Sequence, residues 1–169
     1  MPKQLKHFDA FTVSGLSIRT SNMDEANPKT SKIGQLWRDF FGRDLMNIIP
    51  NREPNTPIYG IYSGYESDHN GFFDVNASVR VSDVLDSEND ERDDIIQQAA
   101  SEFTTVTIEA GDYMAFTTTG EMPQRIIDGW GMVWAHFEGE TTYKRRFTTD
   151  FEQYVDNDNV VIYIAVEKK

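Results

Sequence analysis

The chain has 169 residues, enough for one domain, or two small fused ones, with a substantial core. A composition that is 38% hydrophobic and 12% aromatic excludes a disordered polymer. Sixteen Lys and Arg against 28 Asp and Glu leave a formal net charge of -12, which argues against direct nucleic-acid binding, because phosphates demand a basic footprint.

The densest basic group is only Lys144-Arg145-Arg146. Cysteine is absent, so disulfides and thiolate chemistry are excluded, in keeping with a reducing compartment. Met1-Pro2-Lys3-Gln4-Leu5-Lys6 lacks the apolar core of a signal peptide. No stretch approaches the ~20 apolar residues of a membrane span. A cytoplasmic protein without a membrane partner is expected.

A β-like segment runs from about Phe8 to Ser21. Phe11 and Val13 alternate, then Leu16 and Ile18 take up the opposite phase, and Ser14-Gly15 at the break predicts a bulge or bend. After the turn-rich stretch Asn22 to Lys29, a helix is predicted with Thr30 or Ser31 as N-cap. Its apolar stripe is Ile33, Leu36, Trp37, Phe40 and Phe41, and Gly42 ends it. Pro57 to Tyr65 reads as a strand. The turn Asp68-His69-Asn70-Gly71 leads into a second one, where Phe73, Val75, Ala77, Val79 and Val81 alternate.

Ser82 to Asp94 is an acidic linker, with a short helix possible at Ile95 to Ser101. The order of elements then recurs. Phe103 to Glu109 and Tyr113 to Thr119 are β-like, and Pro123 stands where a first helical residue belongs. The helix carries Ile126, Ile127, Trp130, Val133, Trp134 and Phe137, and Gly139 can end it. Arg146 to Val155 reads as a strand. Past the turn Asp156-Asn157-Asp158-Asn159, the last strand sets Val160, Ile162, Ile164 and Val166 on one face. Strand, helix, strand, strand thus occurs twice, over about residues 8–81 and 103–167. The fold class is α+β: an antiparallel sheet with one main helix per half and a pocket between the halves. Residues 1–169 are read as one domain.

Four segments carry a family resemblance. They are Val13-Ser14-Gly15-Leu16-Ser17-Ile18, then Tyr59-Gly60-Ile61-Tyr62-Ser63-Gly64-Tyr65-Glu66-Ser67-Asp68, then Ile108 to Phe116 with the helix bearing Trp130, and finally Asp150-Phe151-Glu152-Gln153-Tyr154 with Ile162 to Val166. Taken in order, they resemble the effector-binding domain of AraC-type and MerR-type transcription activators, also called gyrase-inhibitor-like. The likeness is greatest to stand-alone members such as drug-binding proteins of integron cassettes. The domain begins within ten residues of Met1, so the chain is expected to lack the helix-turn-helix module of such regulators and not to place itself on a promoter.

The resemblance implies a pocket between the halves, lined by aromatic rings and holding a buried carboxylate, for lipophilic and often cationic compounds. The family carboxylate falls on Glu152. A buried Glu loses hydration and its pKa rises, which an organic cation would offset. Trp37 and Trp130, on corresponding helices, are either core or the aromatic walls of that pocket. Tyr62 and Tyr163 stand on strands that the family uses for the pocket floor, and Tyr59, Tyr65, Tyr113 and Tyr154 are weaker candidates. Trp134 and Phe137 are expected in the core.

The three histidines, His7, His69 and His136, lack metal-site spacing. Phosphate loops and a Gly-x-Ser-x-Gly elbow are missing, and Asp90-Glu91-Arg92-Asp93-Asp94 lacks the pattern of a calcium loop. No cofactor or metal is expected. Three functions compete: a multidrug-type binding module that senses or sequesters a lipophilic cation, a protein-interaction module of the gyrase-inhibitor type, and a hydrolase using the buried Glu. The first fits the residues best, and the protein is read as a non-enzyme.

Overall fold

The computed structural model describes residues 4–68, 70–82, 103–156 and 158–169. The acidic linker beyond Ser82, the short helix expected at Ile95 to Ser101, and the positions of His69 and Asn157 lie outside these residues.

In chain order the elements are β1 (Gln4–Phe8), β2 (Phe11–Ser21), α1 (Asn22–Glu25), α2 (Ile33–Gly42), a 3-10 turn (Leu45–Asn47), β3 (Ile58–Ser63), β4 (Phe72–Val81), β5 (Thr104–Ile108), β6 (Gly111–Thr117), α3 (Gln124–Gly139), β7 (Tyr143–Arg145), β8 (Asp150–Asp156) and β9 (Asn159–Lys168). The strands form one antiparallel sheet in the order β1-β6-β9-β8-β3-β4-β2-β5, with β7 paired to β9. Its central six strands read the same from either end once β2, β3 and β4 are exchanged for β6, β8 and β9. The duplication is therefore present in the strand order, and the β3–β8 pair stands at its centre.

The sheet curls. Strands β1 and β2 lie far apart in the strand order, yet the rings of Phe8 and Phe11 approach to 6.3 Å. With Tyr59, Tyr113, Phe151 and Tyr163 they fill the inner face. The outer face carries the helices: Leu36 and Phe40 of α2 pack on Val75, Ala77 and Val79, and Val133 of α3 packs with Met114, Phe116, Ile162 and Ile164.

The phase change in β2 follows from these two cores. Phe11 and Val13 enter the inner one, while Leu16 and Ile18 turn to the outer one. The expected bulge is absent, since β2 stays in unbroken register with β4 from Thr12↔Val81 to Ser21↔Phe72. Gly15 at the crossover lets the backbones close up, and a Cβ there would run into the Ala77 carbonyl oxygen.

Three other sequence expectations shift. The α2 N-cap is Lys32, not Thr30 or Ser31, because Glu25 caps from a distance: its carboxylate accepts the backbone N–H of Lys32 at 2.8 Å and of Ile33 at 3.2 Å. The strand expected from Arg146 begins only at Asp150. Phe147 adopts a left-handed φ of 54°, and the chain turns between β7 and β8. In α3 the closest-packed line is Arg125, Gly129 and Val133, leaving Ile127 and Trp134 exposed instead of buried. Gly129 sets that line: a Cβ there would lie 2.8 Å from both Ile162 Cδ1 and Thr118 Cγ2. Arg125 is tolerated because Nη2 donates to the carbonyls of Thr118 at 2.8 Å and Asp158 at 3.1 Å.

Candidate functional site

Where the two halves meet, β3 pairs with β8 in the register Ile58↔Tyr154, Gly60↔Glu152 and Tyr62↔Asp150. Paired residues share a face, so all six point to the helices. Gly60 makes room for its partner: a Cβ would lie 2.7 Å from Glu152 Oε1 and 3.0 Å from Trp37 Cζ2.

Glu152 is 1% exposed. Three donors converge on its carboxylate. The Tyr62 hydroxyl donates to Oε2 at 2.8 Å, the Trp130 indole N–H to Oε2 at 2.7 Å, and the Tyr154 hydroxyl to Oε1 at 2.5 Å. Rings close the box, with Tyr62 4.7 Å from Trp130 and Trp37 edge-on to Tyr154 at 5.3 Å. Burial pushes the Glu152 carboxyl above its usual range, and the three donors only partly offset that. Burial, reinforced by the Glu152 charge, pushes the phenols of Tyr62 and Tyr154 far higher, so both stay protonated as donors.

Two residues along the same face, Asp150 is fully buried but matched. Its Oδ2 accepts from Arg145 Nη2 at 2.8 Å and from the Tyr65 hydroxyl at 2.6 Å, and its Oδ1 accepts the Ala165 backbone N–H at 2.8 Å. The contrast is the chief electrostatic fact of the site: one buried carboxylate has its guanidinium, while Glu152 has neutral donors only among the described residues.

The structure brings Glu152, Trp37, Trp130 and Tyr62 together. Tyr163 stands apart, on the inner face, paired with Phe151 and 5.0 Å from its ring. Sequence reasoning missed Gly60 and undervalued Tyr154. A glycine inside an aromatic strand signals the first, and the i, i+2 spacing from Glu152 signals the second. Among the described residues no cluster of His, Cys, Asp or Glu could hold a metal ion, and no helix is long and apolar enough to cross a membrane.

A sequence model described as Cass2, integron-associated effector binding protein, matches residues 4–166. The chain belongs to that family. Among relatives of this Cass2 chain, the integron cassette protein VCH_CASS2 of Vibrio cholerae is 38% identical. The two superimpose with a TM-score of 0.76 over 98% of this chain and 95% of that one. The putative transcriptional regulator protein YobU of Bacillus subtilis is 28% identical over 171 residues, covering 97% of each chain. The fold also matches SAV2435 bound to tetraphenylphosphonium, at 16% identity and a TM-score of 0.72, over 99% and 94% of the two chains.

A raised carboxyl pKa has a definite consequence for the stability of this Cass2 protein. The folded state holds a proton that the unfolded state has already lost, in the window from the ordinary value of 4.5 up to the raised one. Stability must fall as pH rises through that window, and the cost is complete above it. Glu152→Gln removes the titration and still accepts and donates within the box. Its advantage in melting temperature over wild type should therefore grow from pH 4 upward and then level off. An advantage that does not vary with pH would mean that the Glu152 carboxyl is not shifted.

Proposed function

We propose that this protein binds a bulky, lipophilic organic cation, of the multidrug type, at Glu152. The observation that carries this reading is the missing counter-charge: Glu152 is buried and meets no cation among the described residues, while Asp150 beside it has Arg145. A buried carboxylate without a counter-charge is costly, and a ligand that brings a positive charge and aromatic surface offsets that cost. The tetraphenylphosphonium held by SAV2435 is a compound of that kind.

The Trp130 indole donates to the carboxylate, and Trp37 lies beside it over Gly60. Binding therefore exchanges the Trp130 N–H for the cation, and both indoles serve as walls. A ring face near a desolvated cation contributes about 0.5–2 kcal/mol. The chain works as a sensing or sequestering module in the cytoplasm, not as an enzyme.

The pH dependence of affinity tests the reading. Protonation neutralises Glu152 below its raised pKa, so tetraphenylphosphonium binding should weaken as pH falls through that value. Binding of neutral triphenylphosphine oxide should stay level. Cation affinity that is unchanged down to pH 4 would remove Glu152 from the site.

A further inference from the structure

A separate cleft of about 420 Å³ opens beside the C-terminal half of α3, away from Glu152. That volume falls within the range of small-molecule sites. Its walls are aromatic: Trp134 and Phe137 from α3, Tyr143 from β7, and Phe147. Trp134 is 41% exposed, an unusual state for a tryptophan on a helix that packs through its other face.

Phe147 is held there at a price in backbone strain, since a φ of 54° disfavours a bulky side chain. Its ring lies 4.3 Å from the Arg145 guanidinium and edge-on to Tyr65 at 5.5 Å. Arg145 in turn is tied to Asp150. The Arg145–Asp150 floor is thus electrically neutral.

Charge decides what such a cleft can take. Two of the three lining cations are ion-paired, Arg145 with Asp150 and Lys144 with Glu167 at 3.4 Å, while the Lys169 ammonium is turned onto the Glu140 carbonyl oxygen. Among the described residues, the Asp68 carboxylate accepts the Asn70 backbone N–H and meets no cation, and Glu138 has no hydrogen-bond or ion-pair partner. Aromatic walls beside an unpaired carboxylate favour a flat cation over a neutral or anionic compound.

We infer that this cleft is a second binding site, for planar aromatic cations that stack on Trp134 and Phe147 against the charge of Glu138. The inference does not rest on the Glu152 reading. Berberine, a planar aromatic cation whose fluorescence rises in apolar surroundings, is the probe, and the experiment is run on full-length protein carrying Glu152→Gln.

One equivalent should still bind in that background. Adding Trp134→Ala should weaken it about tenfold. Adding Glu138→Gln should weaken it about threefold to tenfold, less so in high salt. Both side chains are exposed at the helix surface, so an unchanged melting temperature will confirm that the variants fold. Loss of all saturable berberine binding on Glu152→Gln, or indifference to Trp134→Ala, overturns the second site and leaves the Glu152 reading standing. Retained berberine binding that needs Trp134, beside tetraphenylphosphonium affinity that ignores Glu152→Gln, upholds the cleft and overturns the other.

Discussion

Arg145→Met should destabilise the protein by about 3–5 kcal/mol, because it strands a buried carboxylate without its charge partner. Asp150 is fully buried and Arg145 nearly so, with 2.8 Å between Nη2 and Oδ2. The Tyr65 hydroxyl and the Ala165 N–H remain as donors but bring no charge. Asp150→Asn added to Arg145→Met removes the orphaned charge and keeps an acceptor for Ala165, so the double variant should recover most of the loss. Urea midpoints for the four proteins of this cycle give the coupling directly. A double variant no more stable than Arg145→Met alone would show that Arg145 matters for its packing and not for the charge on Asp150.

The outline of the fold was readable because it rests on periodicity. Alternation in Phe73 to Val81 and in Val160 to Val166 marked the outer faces of β4 and β9, which the structure buries under the helices. That same alternation already placed Tyr163 opposite to Ile162 and Ile164, hence away from Glu152, although strand membership alone suggested the pocket floor. The apolar stripe of α3 misled for a different reason. It weights large side chains, whereas the line of closest approach is set by Gly129, where the absence of a side chain lets the helix descend on Ile162 and Thr118. Trp134 was left outside as a result.

Long-range partners left no local trace. The Glu25 cap on α2 and the Arg145–Asp150 pair depend on turns that hydrophobic pattern does not encode. Phe147, in the left-handed region inside a run that reads as a strand, is one such turn. The candidate site was accessible mainly through family resemblance, which pointed to Glu152. The pairing of Gly60 with Glu152 across β3 and β8 explains why a carboxylate fits there at all.

The second large effect follows from the charge on Glu152. In a site of low effective dielectric, a hydrogen-bonded or ion-paired charge contributes about 1.5–3 kcal/mol, or about one to two decades in affinity. Glu152→Gln keeps the side-chain size and the contacts with Tyr62, Tyr154 and Trp130, so its effect isolates charge from shape. Trp130→Ala, by contrast, removes stacking surface and should weaken charged and neutral ligands alike.

The direct measurement is a titration of tetraphenylphosphonium and of triphenylphosphine oxide against wild type and Glu152→Gln at pH 7.5. The missing counter-charge predicts that the cation loses about ten- to a hundredfold in affinity while the neutral compound changes less than about threefold. Equal losses for the two, or no loss for either, would contradict it.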